Sequence, residues 1–165
     1  MAVYIFRKLQ AEEYGLLREF LYEAIFLPEG VPTPPRAIVE EPALGCYWRR
    51  FGKSSYDMAR CAVELGSEQI IGIAWCRAIS GFGYVGDGIP ELAMAVRKEH
   101  RMRGIGTRLL TALVNAVKTS GCRGVSLAVQ KENFAFHLYD KSGFAVIRET
   151  PEEYIMLYQT GEVEA

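Results

Sequence analysis

The sequence lacks an excess of charge of either sign, and it lacks any long apolar run. Its 19 lysines and arginines are balanced by 20 aspartates and glutamates, which gives a formal net charge of −1. A domain that binds nucleic acid by electrostatics carries a strong basic excess, so we expect no nucleic-acid partner. No apolar run approaches the roughly 20 residues of a membrane span, and the first residues, MAVYIFRKLQ, do not resemble a secretory signal. We therefore expect a cytoplasmic protein with no membrane partner.

The cysteines are few and lie far apart. There are four of them, at Cys46, Cys61, Cys76 and Cys122, and no two form a CxxC pair. Zinc sites and disulfide frameworks both need more regular cysteine spacing. We expect packed free thiols and no metal site.

The rest of the composition is that of an ordinary globular protein, with 50% hydrophobic and 24% charged residues in a chain of 165. This length suits one domain, and we expect a single domain over residues 1–165. Strand-like and helix-like patterns follow one another: AVYIFRKL, AEEYGLLREFLYEAIF, a hairpin of DMARCAVEL and EQIIGIAWCRAI, ELAMAV, GIGTRLLTALVNAVKTSG, GVSLAVQ, ENFAFHLYDKSG, FAVIRE and YIMLYQ. The proline-rich stretch between residues 27 and 56 predicts loops with one or two short helices. This order predicts an α/β domain around one mixed sheet.

The stretch RMRGIGT, residues 101–107, lies where the strand ELAMAV gives way to a helix. The first N–H groups of a helix have no partners within it and attract anions. The two glycines of this stretch lack the Cβ atoms that would keep a bulky ligand away, while Arg101 and Arg103 add positive charge and Thr107 adds a hydroxyl. The pattern predicts a pyrophosphate-binding loop. On its own it is equally compatible with a tight turn whose arginines are solvated.

A second glycine-rich segment, GFGYVG at residues 81–86, matches the GxGxxG pattern of a dinucleotide-binding fold. That pattern must be followed at once by a helix, whereas here the chain continues through Asp87, Gly88 and Pro90 into a strand. A GxxxxGK phosphate loop is absent from the sequence. We therefore interpret GFGYVG as a flexible loop.

The order of these segments resembles the coenzyme A site of the GNAT superfamily of N-acetyltransferases. The resemblance lies in a strand ending in valine, RMRGIGTRLL, a further strand and NFAFHLYDKSGF, and it covers residues 57–148. The stretches YEAIF, EPAL, GIAWCRA and PELAMAV are similar to one bacterial branch of that superfamily. The resemblance implies a mixed, mostly antiparallel central sheet flanked by helices, with the fourth and fifth strands splayed around the cofactor. It also implies acetyl-CoA as co-substrate and suggests a homodimer.

The resemblance also assigns cofactor contacts to individual positions. Backbone groups of Met94, Ala95 and Val96 would pair with the pantetheine arm like an added strand. The pyrophosphate would be bound, next to the charge of Arg101, by the N–H groups of Met102, Arg103, Gly104, Ile105, Gly106 and Thr107. Asn133 would hydrogen-bond near the cofactor, and Phe136 would line its path.

Tyr139 matches the family's tyrosine beside the thioester sulfur. The chemistry asks for such a group independently, because an amine that attacks acetyl-CoA expels a thiolate, which a nearby hydroxyl can protonate as a general acid. The alternative is a tyrosine that packs under the sheet, three residues after Phe136.

The attacking amine must also lose a proton, since an ordinary lysine-like ammonium has a pKa of about 10.4. Glu91 is our candidate base, because it is isolated among the apolar residues of ELAMAV and an acid there is costly unless it meets a cleft or solvent. The alternative is a strand-end carboxylate in water. Strand alternation puts Glu91 on the face opposite Met94, and a bulge would reverse that face. Asp87, His137 or a water chain could take its place.

The sequence thus predicts an acetyl-CoA-dependent N-acetyltransferase that acts by direct transfer, with Tyr139 and Glu91 as catalytic residues and no acyl-cysteine. The acceptor would be a primary amine of a small molecule or of a protein N-terminus, and no motif identifies it. The first alternative is a non-catalytic module that binds coenzyme A as a sensor or interaction partner. The second is a nucleic-acid-binding domain that uses the basic loop.

Overall fold

The computed structural model describes residues 2–161 of the chain. The predicted domain spans 1–165, so Met1 and residues 162–165 lie outside the described part. The strands are β1 (Tyr4–Lys8), β2 (Met58–Glu64), β3 (Gln69–Arg77), β4 (Glu91–Val96), β5 (Gly124–Gln130), β6 (Ala145–Glu149) and β7 (Glu153–Gln159). They form one seven-stranded sheet in the order β1-β2-β3-β4-β5-β7-β6.

The helices are α1 (Leu16–Ala24), α2 (Pro42–Gly45), α3 (Ile105–Ser120) and α4 (Ala135–Lys141), with short 3₁₀ turns at Ala11–Glu13, Arg36–Glu40 and Lys98–His100. The proline-rich stretch contains one of these turns and the four-residue α2, as predicted. Helix α2 begins with Pro42, where the missing N–H has no intrahelical partner to lose. None of the helices in the described range is long and apolar enough to span a membrane.

The predicted fold class is confirmed: the sheet is mixed, mostly antiparallel and flanked by helices. The predicted hairpin is formed by β2 and β3, and the one parallel contact joins β4 to β5. The final hairpin does not follow chain order, because β7 lies between β5 and β6. Strand β6 is therefore an edge strand, and all of its residues are exposed.

Each face of the sheet carries its own hydrophobic core. Helix α3 is amphipathic, as predicted, and covers one face with Ile105, Leu109, Leu110, Leu113, Val114 and Val117. Helix α1 covers the other face with Leu17, Phe20 and Leu21. Between the two cores the sheet is the scaffold that positions the candidate site.

Strand β4 alternates between these two cores. It pairs with β3 over its whole length without a register shift. Leu92 and Met94 pack in the α3 core, whereas Ala93 and Ala95 pack in the α1 core. The bulge that would have reversed the strand does not occur, so Glu91 lies on the α1 side, as simple alternation predicts.

Strands β4 and β5 are paired at one position, where Glu91 lies opposite Ser126. The N–H of Ser126 also donates to the carbonyl of Pro90 at 3.0 Å. Beyond this point the strands part, while β3 covers the far edge of β4 and β7 covers the far edge of β5. The facing edges therefore offer backbone N–H and C=O groups to a ligand in the gap, since no strand pairs with them.

A buried ion pair attaches the segment before β2 to the end of β3. Arg77 and Asp57 are 3.2 Å apart, and their side chains are 11% and 1% exposed. Arg77 also donates to the backbone carbonyls of Cys46 and Arg49, and Asp57 accepts from the N–H of Gly52. The position of residues 46–57 thus depends on one cation and one anion that are both removed from water.

Replacing Asp57→Asn is expected to lower the free energy of unfolding by roughly 3 kcal/mol, because the Arg77 cation would stay buried without its counter-charge. Urea denaturation followed by tryptophan fluorescence measures the change. Glu40→Gln is the control, since Glu40 forms its ion pairs with Arg18 and Arg49 on the surface, where such pairs are worth less than about 1 kcal/mol. Equal losses in the two variants would contradict the assignment.

Candidate active site

The start of α3 carries backbone N–H groups that have no hydrogen-bond partner among residues 2–161. Gly104 precedes the helix in the left-handed region with φ +76°, and Met102 is left-handed too, at φ +63°. The first bond of the helix runs from the N–H of Arg108 to the carbonyl of Gly104, so the N–H groups of residues 105–107 have no partner within the helix. Left-handed residues in such a loop form concave nests of N–H groups that bind anions.

The space in front of these N–H groups is open. A Cβ atom built on Gly104 would meet no heavy atom within 4 Å. At Gly106 it would lie 3.3 Å from a methyl group of Leu138 in α4 and 3.7 Å from the methyl group of Met94 in β4. The beginning of α3 therefore meets α4 and the Met94 side chain of β4, which brings two predicted cofactor residues, Gly106 and Met94, together.

The two arginines of the loop are held by the protein itself. Arg101 donates from Nε to the carbonyl of Val96 at 2.8 Å and lies 3.9 Å from a carboxylate oxygen of Glu23. Arg103 donates to the hydroxyl of Tyr4 at 2.9 Å. Their charge stays beside the helix start, but the side chains fix the loop, and the Val96 carbonyl already has a donor. Ile105 is buried in the core, so only its backbone can contribute.

The three predicted residues around α4 differ in their surroundings. Asn133 accepts from the N–H of Ala135 with its side-chain oxygen at 2.9 Å, which orients its amide NH₂ group. Phe136 is half-buried and packs on Tyr154 with ring centroids 5.1 Å apart. His137, an alternative base, is exposed and touches the rings of Phe134 and Phe136.

Tyr139 is packed in the α3 core beside Phe144, with a ring distance of 5.8 Å, and is only 8% exposed. Burial raises its pKa to about 12. Among residues 2–161, no side-chain hydrogen bond involves the Tyr139 hydroxyl.

Glu91 lies where β4 and β5 separate, on the face opposite Tyr139, and is 1% exposed. Its Oε1 accepts from the N–H of Gly81 at 2.7 Å. Its Oε2 accepts from the hydroxyl of Tyr47 at 2.8 Å and from the N–H of Gly83 at 3.1 Å. Burial raises the pKa of Glu91, and these three hydrogen bonds oppose that rise. The alternative of a strand-end carboxylate in water does not describe this side chain.

The sequence did not reveal Tyr47 or the purpose of the GFGYVG segment. This segment is a loop in the structure, but its backbone is tied down at several points. Ser126 donates to the carbonyl of Gly83 at 2.7 Å, and Arg148 donates to that of Tyr84 at 2.9 Å. Asp87, the other alternative base, is exposed and accepts from the Tyr84 hydroxyl. The available signal in the sequence was a pair of glycines, Gly81 and Gly83, around Phe82. Gly81 lies ten positions before the isolated acid Glu91.

This arrangement can bind an anion at a helix start and hold an extended group along a strand edge, and it places one carboxylate where β4 and β5 separate. A comparison with family models finds that residues 21–144 match the acetyltransferase (GNAT) family. The chain belongs to the acetyltransferase (GNAT) family. GNAT proteins are a class of acetyl-CoA-dependent N-acyltransferases, and the membership predicted from RMRGIGT and the α4 pattern is confirmed.

Individual GNAT relatives are distant in sequence. The uncharacterized N-acetyltransferase YobR of Bacillus subtilis is 34% identical over 83 residues, which cover 50% of this chain and 31% of YobR. YncA of Salmonella typhimurium, solved with its cofactor acetyl-CoA, has 19% identity and a TM-score of 0.70 over 99% of this chain and 97% of that one. PaiA N-acetyltransferase of Thermoplasma acidophilum, solved with coenzyme A, has 23% identity and a TM-score of 0.66 over 95% and 99%. The two structures establish the fold.

Replacing Gly104→Ala is expected to weaken coenzyme A binding at least tenfold, because the new methyl group would stand in the open space before the helix N–H groups. Isothermal titration calorimetry measures the dissociation constant. Gly121→Ala is the matched control: Gly121 ends the same helix, is left-handed with φ +83°, and has equally free surroundings. Both variants should lose roughly 1 kcal/mol of stability to backbone strain. Equal dissociation constants would remove the loop from the binding site.

Proposed function

We propose that the protein transfers the acetyl group of acetyl-CoA directly to a primary amine, on a small molecule or at a protein N-terminus. The observation that carries this proposal is the open N–H cradle at the start of α3, next to the strand edge that the parting of β4 and β5 leaves unpaired. A pyrophosphate and an extended pantetheine arm need these two features side by side. Two structures that share the fold were solved with acetyl-CoA or coenzyme A.

The residues of this chain fit coenzyme A in a defined order. In the proposal, the N–H groups from Met102 to Thr107 hold the pyrophosphate, with the helix dipole and the charge of Arg101 and Arg103 in support. Backbone groups of Met94, Ala95 and Val96 hold the pantetheine arm. Asn133 directs its free amide group to the cofactor, and Phe136 forms an apolar wall. When bound, acetyl-CoA supplies an acetyl thioester that an amine can attack.

Tyr139 serves as general acid in this proposal. A phenol with a pKa raised to about 12 remains protonated at neutral pH, so it holds a proton for the leaving thiolate. Its buried ring fixes the position of the hydroxyl, and no described group competes for that hydrogen bond. The packing role considered as the alternative accounts for the ring but leaves the hydroxyl without a hydrogen-bond partner among residues 2–161.

Glu91 serves as general base, which accepts the proton that the amine must lose. A carboxylate has about four lone-pair sites, and three are used by Tyr47, Gly81 and Gly83. One site on Oε1 remains, and in this proposal it accepts the proton of the amine. Burial raises the pKa of Glu91 toward the working range of a base.

Direct transfer is supported by the state of the cysteines. Burial raises the pKa of the Cys61 thiol to about 11 and that of Cys76 to about 12. Burial also raises the pKa of Cys46. These thiols stay protonated at neutral pH, and a protonated thiol is a poor nucleophile. An acyl-cysteine intermediate at these positions is therefore disfavoured.

Acetyl transfer is tested by supplying acetyl-CoA with a panel of polyamines, amino acid amides and short peptides, and by following thiol release. We expect turnover on at least one amine, and Tyr139→Phe should reduce kcat by about a hundredfold with unchanged acetyl-CoA affinity. Tyr158→Phe is the matched control, because the Tyr158 ring also packs on Phe144. Saturable binding of acetyl-CoA without turnover on any amine would favour the non-catalytic sensor instead.

The rate is expected to depend on the ionisation of Glu91. Because its pKa is raised, the carboxylate form is lost as pH falls through a value above the ordinary 4.3 or so. The rate should therefore fall with decreasing pH in the acid range. This fall is the acid limb of the pH–rate profile. In Glu91→Gln the acid limb should disappear, and kcat should drop by about a hundredfold or more.

Glu153→Gln is the control for this pH dependence. Burial also raises the pKa of Glu153, but this residue lies on β7 away from the cluster around Glu91. Its replacement should leave the limb intact. A limb that survives in Glu91→Gln would assign the base to another group.

A further inference from the structure

The turn formed by Gly81, Phe82 and Gly83 directs three successive N–H groups at one small polar cluster. Two of them bind the carboxylate of Glu91, at 2.7 and 3.1 Å. The third, from Phe82, donates to the hydroxyl of Tyr47 at 3.0 Å, and that hydroxyl donates to Glu91 at 2.8 Å. The turn, the Tyr47 hydroxyl and the Glu91 carboxylate are thus each hydrogen-bonded to the other two.

The two glycines of the turn are required by how closely it packs. A Cβ atom at Gly81 would collide with the hydroxyl of Tyr47 and lie 2.8 Å from Oε2 of Glu91. At Gly83 it would lie 2.7 Å from the backbone of Leu127 in β5. The GxG pattern, which resembled a dinucleotide motif, is thus explained by a turn that binds a carboxylate of its own chain.

Tyr47 is held in place by contacts that do not involve its hydroxyl. Its backbone carbonyl accepts from the indole N–H of Trp75 at 2.9 Å, and the preceding carbonyl, of Cys46, accepts from Arg77 at 3.1 Å. Its ring is 7% exposed and stacks on Phe82, with an interplanar angle of 14°. The hydroxyl can therefore be removed without removing what fixes the residue.

We propose that Tyr47 is a positioning residue for the acetyl transfer, whose hydroxyl orients the Glu91 carboxylate and stabilises its ionised form. With Tyr47 and Gly83 bonded to Oε2, the remaining lone pair lies on Oε1, and the carboxylate is held in a single orientation. Tyr47 acts through Glu91 and does not itself touch the substrate. This inference rests on the proposed function, in which Glu91 is the base.

The other ionisable groups near Glu91 have their own partners. Arg77 lies opposite Glu91 on β3 but is bonded to Asp57. Tyr84 and Asp87, later in the same loop, are bonded to each other. Cys46 precedes Tyr47, and its thiol donates to the carbonyl of Ala43. The Tyr47 hydroxyl is consequently the one side-chain donor to Glu91 among residues 2–161, and it opposes the rise that burial causes in the pKa of Glu91.

The test is Tyr47→Phe, which keeps the ring and deletes the hydroxyl. The titration of Glu91 is read by NMR in protein labelled with ¹³C at the glutamate carboxyl groups, and the Glu91 signal is assigned by its loss in Glu91→Gln. We expect the midpoint to move to higher pH in Tyr47→Phe. On an amine that the panel identifies, kcat should fall at least tenfold, its acid limb should move with the midpoint, and KM for acetyl-CoA should not change.

Two comparisons separate positioning from a loss of structure. Tyr22→Phe deletes the hydrogen bond that another tyrosine of the α1 core donates to the carbonyl of Pro34 at 2.6 Å. It should shift neither the titration midpoint of Glu91 nor kcat. In a Glu91→Gln background, Tyr47→Phe should cost little further activity, since residues that act as a unit are not additive. Should Tyr47→Phe fail to fold, Tyr47→4-fluorophenylalanine is the second variant, because the fluorine fills the space of the hydroxyl but cannot donate to Glu91.

Each outcome decides the inference. An unchanged midpoint in Tyr47→Phe, or additive losses in the double variant, would overturn it. A midpoint that moves in a protein without turnover on any amine would show the Tyr47–Glu91 coupling but refute both its catalytic use and the proposed function. A midpoint that moves together with the acid limb supports both.

Discussion

The separation of β4 from β5 after one backbone pair is the constraint on which the candidate site depends. In a continuous sheet, the edges of both strands would be used up by their own hydrogen bonds. Here Glu91 and Ser126 close the sheet at one end, while β3 and β7 support the far edges. The resulting opening is flanked by paired strands, and its own edges keep backbone groups that no described strand pairs with.

Local signals predicted the parts of this arrangement that arise from neighbouring residues. The period of α3, the turn after it at Gly121, and the open start at Gly104 all follow from the chain within a few positions. The face of Glu91 also followed from strand alternation, since β4 has no bulge. The position of β7 between β5 and β6 could not be predicted from the sequence. FAVIRE and YIMLYQ both have the pattern of a strand, and packing at the sheet edge decides their order.

Contacts between distant segments were not predictable in the same way. Tyr47 reaches Glu91 from 44 positions away. Its own sequence context, the turn after α2 in a proline-rich stretch, shows no periodicity that would direct it there. The burial of Glu91 is a consequence of that contact and of the glycine turn above it. Similarly, the arginines of RMRGIGT are basic in the sequence, but only the fold reveals that Val96, Glu23 and Tyr4 hold them.

The placement of Tyr139 and Glu91 on opposite faces of the sheet has a chemical consequence for the proposed reaction. An acid and a base that touched would exchange a proton or bond to each other, and neither would then be free for a substrate. The Tyr139 hydroxyl lies with the α3 core, and the Glu91 carboxylate lies with Tyr47 on the α1 side. In the proposed reaction, the thioester and the amine would meet between β4 and β5, with the proposed proton donor on one face of the sheet and the proposed acceptor on the other. The sheet would then keep the donor and the acceptor apart while each serves its own partner.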